Sequence, residues 1–270
     1  METTIEPRGR RADVDIDGTH LSYLDYGEGD AAVIIVPGIT SPAITWDFVA
    51  DELAADRRVI ALDVRGRGLS DRPADGYTLP GYAKDVVGLA EALGLDRPVV
   101  MGHSMGARIA AALGALHPDG ARALVIIDPP LTGPGRDPYP TSLEDFLQQL
   151  REGYRGTTLD EIRRFYPRWN DRELQIRCEW LPTCDEHAVA ETHRNFDVED
   201  LFGYWSTLAA PTLFIYGDES PAVPPSGVEE IRQANPAAEI TGISRAGHMI
   251  PWENLDEFLA VVRPFLAKHG

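Results

Sequence analysis

"VVMGHSMGARIAAALG", residues 99–114, passes from a β-branched run into an alanine-rich helix former within a few residues, and Ser104 stands at the junction between Gly102 and Gly106. A glycine two residues to either side of a serine makes G-x-S-x-G. A strand that turns into a helix this sharply crowds its own backbone, so only small residues fit at the two flanking positions. The same turn lifts the serine hydroxyl above the sheet edge at a helix N-terminus, where the dipole favours developing negative charge. The pattern alone is common, but between an apolar strand and a helix it marks Ser104 as a nucleophile.

The flanking sequence has matching periodicity. "ADVDI" and "HLSYLDY" alternate as two antiparallel strands, and "AAVIIVPG" is a continuous apolar run of the kind that is buried on both faces. Then come a helix at "TWDFVADELAAD", a strand "RVIALDV", a helix "LPGYAKDVVGLAEALG", the strand and helix around Ser104, and a strand "ALVIIDPP". Alternation at this spacing implies right-handed crossovers in a mostly parallel, eight-stranded α/β sheet flanked by helices. The rhythm breaks at "PPLTGPGRDPYP". Helix-forming sequence with no strand follows, with capping boxes expected at Thr141/Glu144, Thr158/Glu161 and Asn170/Glu173. Alternation resumes with "APTLFIYGD", "VEEIRQANP", "EITGIS" and a terminal helix. One core domain, residues 1–130 and 209–270, is therefore expected to carry a helical lid at 131–208.

Composition restricts the partners. The chain of 270 residues has 25 basic and 43 acidic side chains, a net charge of −18. That repels nucleic acid and anionic membranes, so neither is expected as a partner. The first twenty residues hold no signal-like apolar run and no later run approaches a membrane span, which reads as cytoplasmic. Cys178 and Cys184 read as two free thiols; no metal or other cofactor is expected. Oligomeric state is open.

A serine hydroxyl needs a base. Of seven histidines only His248, in "SRAGHMIPWE", stands in the loop directly after the last expected strand. His103 reads as a packing residue beside the elbow. Two aspartates end strands, Asp128 in "ALVIIDPP" and Asp218 in "LFIYGDES", and either satisfies a Ser…Asp…His order. The oxyanion of a tetrahedral intermediate needs two backbone N–H donors. Met105 supplies one, and Ile39 in "PGITS" is the natural second. Thr40 and Ser41 stand ready as hydroxyl donors or as loop-ordering groups.

With "PGITS", "DVRGRGLSD", "GHSMG" and "AGHMIP" in this order, the chain resembles the α/β-hydrolases along essentially its whole length. In most of that family the acid stands three residues after the glycine ending the seventh strand, which here is Ser220. A smaller subgroup draws it from the sixth strand, and this resemblance favours Asp128 over Asp218. Pro37-Gly38 replaces the His-Gly of many relatives. Within the family "VPGITSPAITW", "GPGR" and "EWL" with "TC" make the chain similar to the N-formylmaleamate deformylases of nicotinate degradation, which implies a small anionic amide as substrate and formate as a product. "YGDESPAVPP" departs from that branch. A substrate carboxylate would need a local cation, for which Arg108, Arg177 and Arg194 are the candidates, while Arg65 and Arg67 read as loop-ordering. Trp46, Trp180, Trp205 and Trp252 would line the pocket or pack the lid. Trp180 and Arg108 join Thr40 and Ser41 as expected substrate-binding residues. The same triad would also serve a carboxylesterase or a C–C bond hydrolase of ring-cleavage products, and the fold also serves as a ligand receptor. A carboxylate nucleophile, needed for a dehalogenase or an epoxide hydrolase, is absent at Ser104.

Overall fold

The computed structural model describes residues 4–270; residues 1–3, where the core segment was expected to begin, lie outside the described residues. In chain order the elements are β1 (Arg10–Ile16), β2 (Thr19–Tyr26), β3 (Ala32–Val36), α1 (Asp47–Leu53), β4 (Arg58–Leu62), α2 (Leu79–Ala92), β5 (Val99–His103), α3 (Met105–Leu116) and β6 (Ala123–Ile127). Five helices follow without a strand: α4 (Leu143–Arg155), α5 (Leu159–Phe165), α6 (Asp171–Trp180), α7 (Glu186–Asn195) and α8 (Leu201–Trp205). The chain then returns through β7 (Thr212–Gly217), α9 (Pro225–Ala234), β8 (Glu239–Ile243), α10 (Ile250–Glu253) and α11 (Leu255–His269).

The eight strands form one sheet in the order β1-β2-β4-β3-β5-β6-β7-β8. β1 and β2 are antiparallel, β2 meets β4 antiparallel, and every pairing from β4 to β8 is parallel. β3, β5 and β6 are buried at every residue because helices cover both faces. The two-residue period divides their side chains. Ile34, Val36, Val100 and Leu124 join the core beneath α2 and α3, and Val33, Ile35, Val99 and Val125 join the one beneath α1 and α11.

The capping expectations fare unequally. Thr158 and Glu161 form the full reciprocal box at α5, and Asn170 caps α6 by accepting from the Glu173 N–H without a return bond. At α4 the box is Ser142 with Asp145, not Thr141 with Glu144. Thr141 lies one residue too early: its carbonyl meets His193 at 2.9 Å, and it lines the cavity described next. The parallel arrangement brings the carboxyl ends of β3, β5, β6 and β8 to one edge of the sheet, where ligand crevices of such folds open.

Candidate active site

At the end of β5, Ser104 adopts φ 56° and ψ −116°, a strained conformation for a residue with a Cβ. The surrounding packing holds it there. A Cβ on Gly102 would stand 2.0 Å from the Gly106 carbonyl oxygen, and one on Gly106 would stand 1.9 Å from the Val36 oxygen. Both clashes are with backbone, which cannot rotate away, so the tight turn needs these two glycines.

The hydroxyl thus presented is 3.0 Å from His248 Nε2, and His248 Nδ1 is 2.7 Å from Asp128 Oδ2. Asp128 ends β6 with φ 46°, a left-handed turn that aspartate tolerates better than most residues. Fully buried, its carboxylate accepts from the Gly217 N–H at 3.2 Å and from the Ser220 hydroxyl. Asp218 lies exposed on the surface and makes no contact with His248.

The loop after β3 faces the serine. Ile39 and Met105 are both buried, and among the described residues neither backbone N–H donates to another protein group. Two buried arginines hold the carbonyls of this loop. Arg67 Nε donates to Ile39 O at 2.9 Å while its other nitrogens reach Tyr82 and Thr192, and Arg177 Nη1 of α6 donates to Thr40 O at 2.6 Å. The Thr40 hydroxyl accepts from Arg177 as well, at 3.2 Å. Arg65 is held by Asp85 through two 2.6 Å bonds.

Ser104, His248, Ile39, Thr40, Ser41 and Arg177 share one cavity of about 200 Å³. Tyr139, Thr141, Phe146, Gln149 and Tyr166 complete its wall from the segment between β6 and β7. None of these five was singled out from sequence as a site residue, since nothing in a helix-rich segment marks which side chains will face the serine. The Tyr139 hydroxyl stands 3.2 Å from His248 Nε2, over the serine contact. Burial raises its phenol above the ordinary range, so it remains a hydrogen-bond donor.

Two expected substrate contacts are corrected. Arg108 is fully buried and points away from the cavity; Nη1 is used by Pro130 O, Thr132 O and the Thr132 hydroxyl, and Nη2 donates to Glu199 O at 2.8 Å. It ties the core to the helical segment. Trp180 packs in the core with the Arg11 guanidinium 5.0 Å from its ring, and does not line the cavity. Arg194 is exposed and pairs with Glu191. Trp46 and Trp252 pack edge to face behind His103, and Trp205 is buried against Phe214.

His103 donates from Nε2 to the His248 carbonyl at 2.8 Å, while its buried Nδ1 has no partner among the described residues. Burial first, and the neighbouring His248 second, push its pKa down from 6.5 to about 3. Between those values the unfolded chain binds a proton that the folded chain excludes, so stability falls with acidification through that window. The slope reaches about 1.4 kcal/mol per pH unit. His103→Gln, which keeps a donor for the carbonyl, is expected to flatten this part of the profile relative to wild type. Urea unfolding at pH 4.5, 5.5 and 6.5 checks it; parallel profiles would rule out a neutral buried His103.

A sequence profile described as alpha/beta hydrolase fold matches residues 31–255, most of the chain. The chain belongs to the α/β-hydrolase family. It is 40% identical over 254 residues to an N-formylmaleamate deformylase of Pseudomonas putida, covering 94% of this chain and 95% of that one. It is 28% identical to a 2-(acetamidomethylene)succinate hydrolase of Mesorhizobium japonicum, covering 88% of each. The crystal structure of the N-formylmaleamic acid deformylase of Pseudomonas putida S16 superposes with a TM-score of 0.88 at 35% identity, covering 94% of this chain and all of the other. Among the described residues of the hydrolase, no group of three or more His, Cys, Asp or Glu could hold a metal ion, and no helix is long and apolar enough to cross a membrane. Both cysteines are free thiols, with Cys184 buried.

Proposed function

We propose that this hydrolase releases formate from a small N-formyl amide bearing a carboxylate, N-formylmaleamate being the substrate that fits best. The observation that carries the reading is the cavity itself. The Ser104–His248–Asp128 array shares it with Arg177, a buried guanidinium with no carboxylate partner among the described residues. A cation so placed calls for an anionic ligand, and about 200 Å³ admits only a small one. The 40% identity to a deformylase over nearly the whole chain supports the same substrate class.

In this reading Ser104 Oγ attacks the formyl carbon as His248 Nε2 takes its proton, and Asp128 orients the imidazole and stabilises its charge. The oxyanion is received by the Ile39 and Met105 N–H groups. Collapse breaks the C–N bond, and His248 returns the proton to the departing nitrogen, freeing maleamate. Water, deprotonated by His248, attacks the formyl ester on Ser104; formate leaves and the serine is restored. The 131–208 segment acts as the lid that closes this cavity over the core formed by residues 1–130 and 209–270. Thr40 serves to hold the oxyanion loop through Arg177, and Ser41 faces the substrate.

Formate release from N-formylmaleamate, run beside 4-nitrophenyl acetate, tests the proposal. Ester cleavage without formate release would leave a small-acyl esterase, and cleavage of a C–C bond in a ring-fission product would favour that alternative. Arg177→Gln is expected to lower kcat/KM for N-formylmaleamate on the order of 100-fold, the worth of a charge-assisted hydrogen bond. The neutral ester should lose only a few-fold, through the slackened Thr40. Equal losses on both substrates would mean that Arg177 serves the loop alone.

A further inference from the structure

A second concavity, of about 360 Å³, opens to the surface between α4 and α5, and it shares Gln149, Tyr166 and Arg177 with the catalytic cavity. These three residues form the wall between the two spaces. Arg177 Nη2 reaches Gln149 Oε1 at 3.5 Å, and its guanidinium stands 5.7 Å from the Tyr166 ring. The outer space is lined by two further arginines, Arg155 at the end of α4 and Arg164 in α5. Both are exposed, and among the described residues neither has a carboxylate within ion-pairing distance, although most surface arginines of the chain do. Two acids also line it: Glu152 accepts from Gln148 at 2.9 Å, and Glu161 closes the Thr158 capping box.

We infer that this groove is the route by which the anionic substrate enters, with Arg155 and Arg164 as an outer carboxylate-collecting site that delivers to Arg177. The inference rests on the proposed preference for a carboxylate-bearing substrate. Three guanidiniums against two carboxylates in this lining give a locally positive path through the field of a chain with net charge −18. A further surface concavity, which shares Tyr139 with the catalytic cavity, offers no such path. There Arg136 is clamped by Glu230 through bonds of 2.7 and 2.6 Å, and Asp137 adds negative charge.

The test compares mono-4-nitrophenyl succinate, which is anionic, with 4-nitrophenyl acetate, which is neutral, across a range of salt concentrations. The variants are Arg155→Gln/Arg164→Gln and Arg164→Glu. Because both positions are exposed, the fold should be unaffected. At low salt the double variant should lose about tenfold in kcat/KM on the succinate ester, with its salt dependence flattened, while kcat and the acetate reaction stay within about twofold. Arg164→Glu should lose more. An unchanged salt dependence, equal losses on both esters, or a wild type that discriminates against the succinate ester at low salt would each overturn the inference. Failure of the deformylase reading would show separately, as absence of formate from N-formylmaleamate while the ester pair still responds.

Discussion

Ser104→Ala should lower kcat by about 10⁶-fold and leave the fold intact. Among the described residues the serine oxygen is the only nucleophile within reach of His248 Nε2, at 3.0 Å, since the other group there, Tyr139, keeps its proton through burial. Removing one oxygen from a residue that is 3% exposed leaves the strained turn as it was, because the backbone contacts of Gly102 and Gly106 enforce it, not the hydroxyl. Single-turnover formate release and labelling by a serine-reactive phosphonate check the result together. Label retained by the alanine variant, or activity above about 1% of wild type, would point to a different nucleophile.

The second large effect concerns the acid. Asp128→Asn should cost about 10⁴-fold in kcat, because an amide cannot stabilise the imidazolium and favours the wrong tautomer of His248. Asp218→Asn should be silent, its side chain being exposed and, among the described residues, not hydrogen-bonded to the imidazole. Ser220 makes the prediction sharper. Its hydroxyl and His248 Nδ1 meet the same oxygen, Asp128 Oδ2, so position 220 stands beside the place a carboxylate must occupy. Adding Ser220→Asp to Asp128→Asn should therefore restore part of the lost rate, on the order of 10-fold or more. If Asp128→Asn retains wild-type kcat, or Asp218→Asn abolishes it, the acid assignment is wrong. Loss of fold, read by circular dichroism, is separable from both outcomes because the rescuing variant would then show no recovery.

These expectations differ in origin. Ser104 was legible from local rules alone: two glycines, a strand on one side and a helix on the other restrict what the backbone can do. The parallel sheet was legible because β3, β5 and β6 are continuous apolar runs, and such runs demand cover on both faces. His248 followed from standing in the loop directly after the last strand, which a parallel sheet delivers to the same edge as the serine.

Strand ends alone left both Asp128 and Asp218 open, and the family resemblance favoured Asp128 because the usual acid position holds Ser220; in the fold Asp128, not Asp218, meets His248 Nδ1, at 2.7 Å. The cation was still less legible. Arg108, Arg177 and Arg194 have the same side chain, and only packing separates them: Arg108 is spent on carbonyls in the core, Arg194 on Glu191 at the surface, and Arg177 alone lines the cavity. Sequence by itself determined the strand–helix alternation, the elbow serine and the histidine, because these follow from interactions between residues close along the chain or from the period of burial. Only the tertiary structure decided the cavity wall and the free guanidiniums, because each depends on which distant side chains have already used up a group's hydrogen bonds.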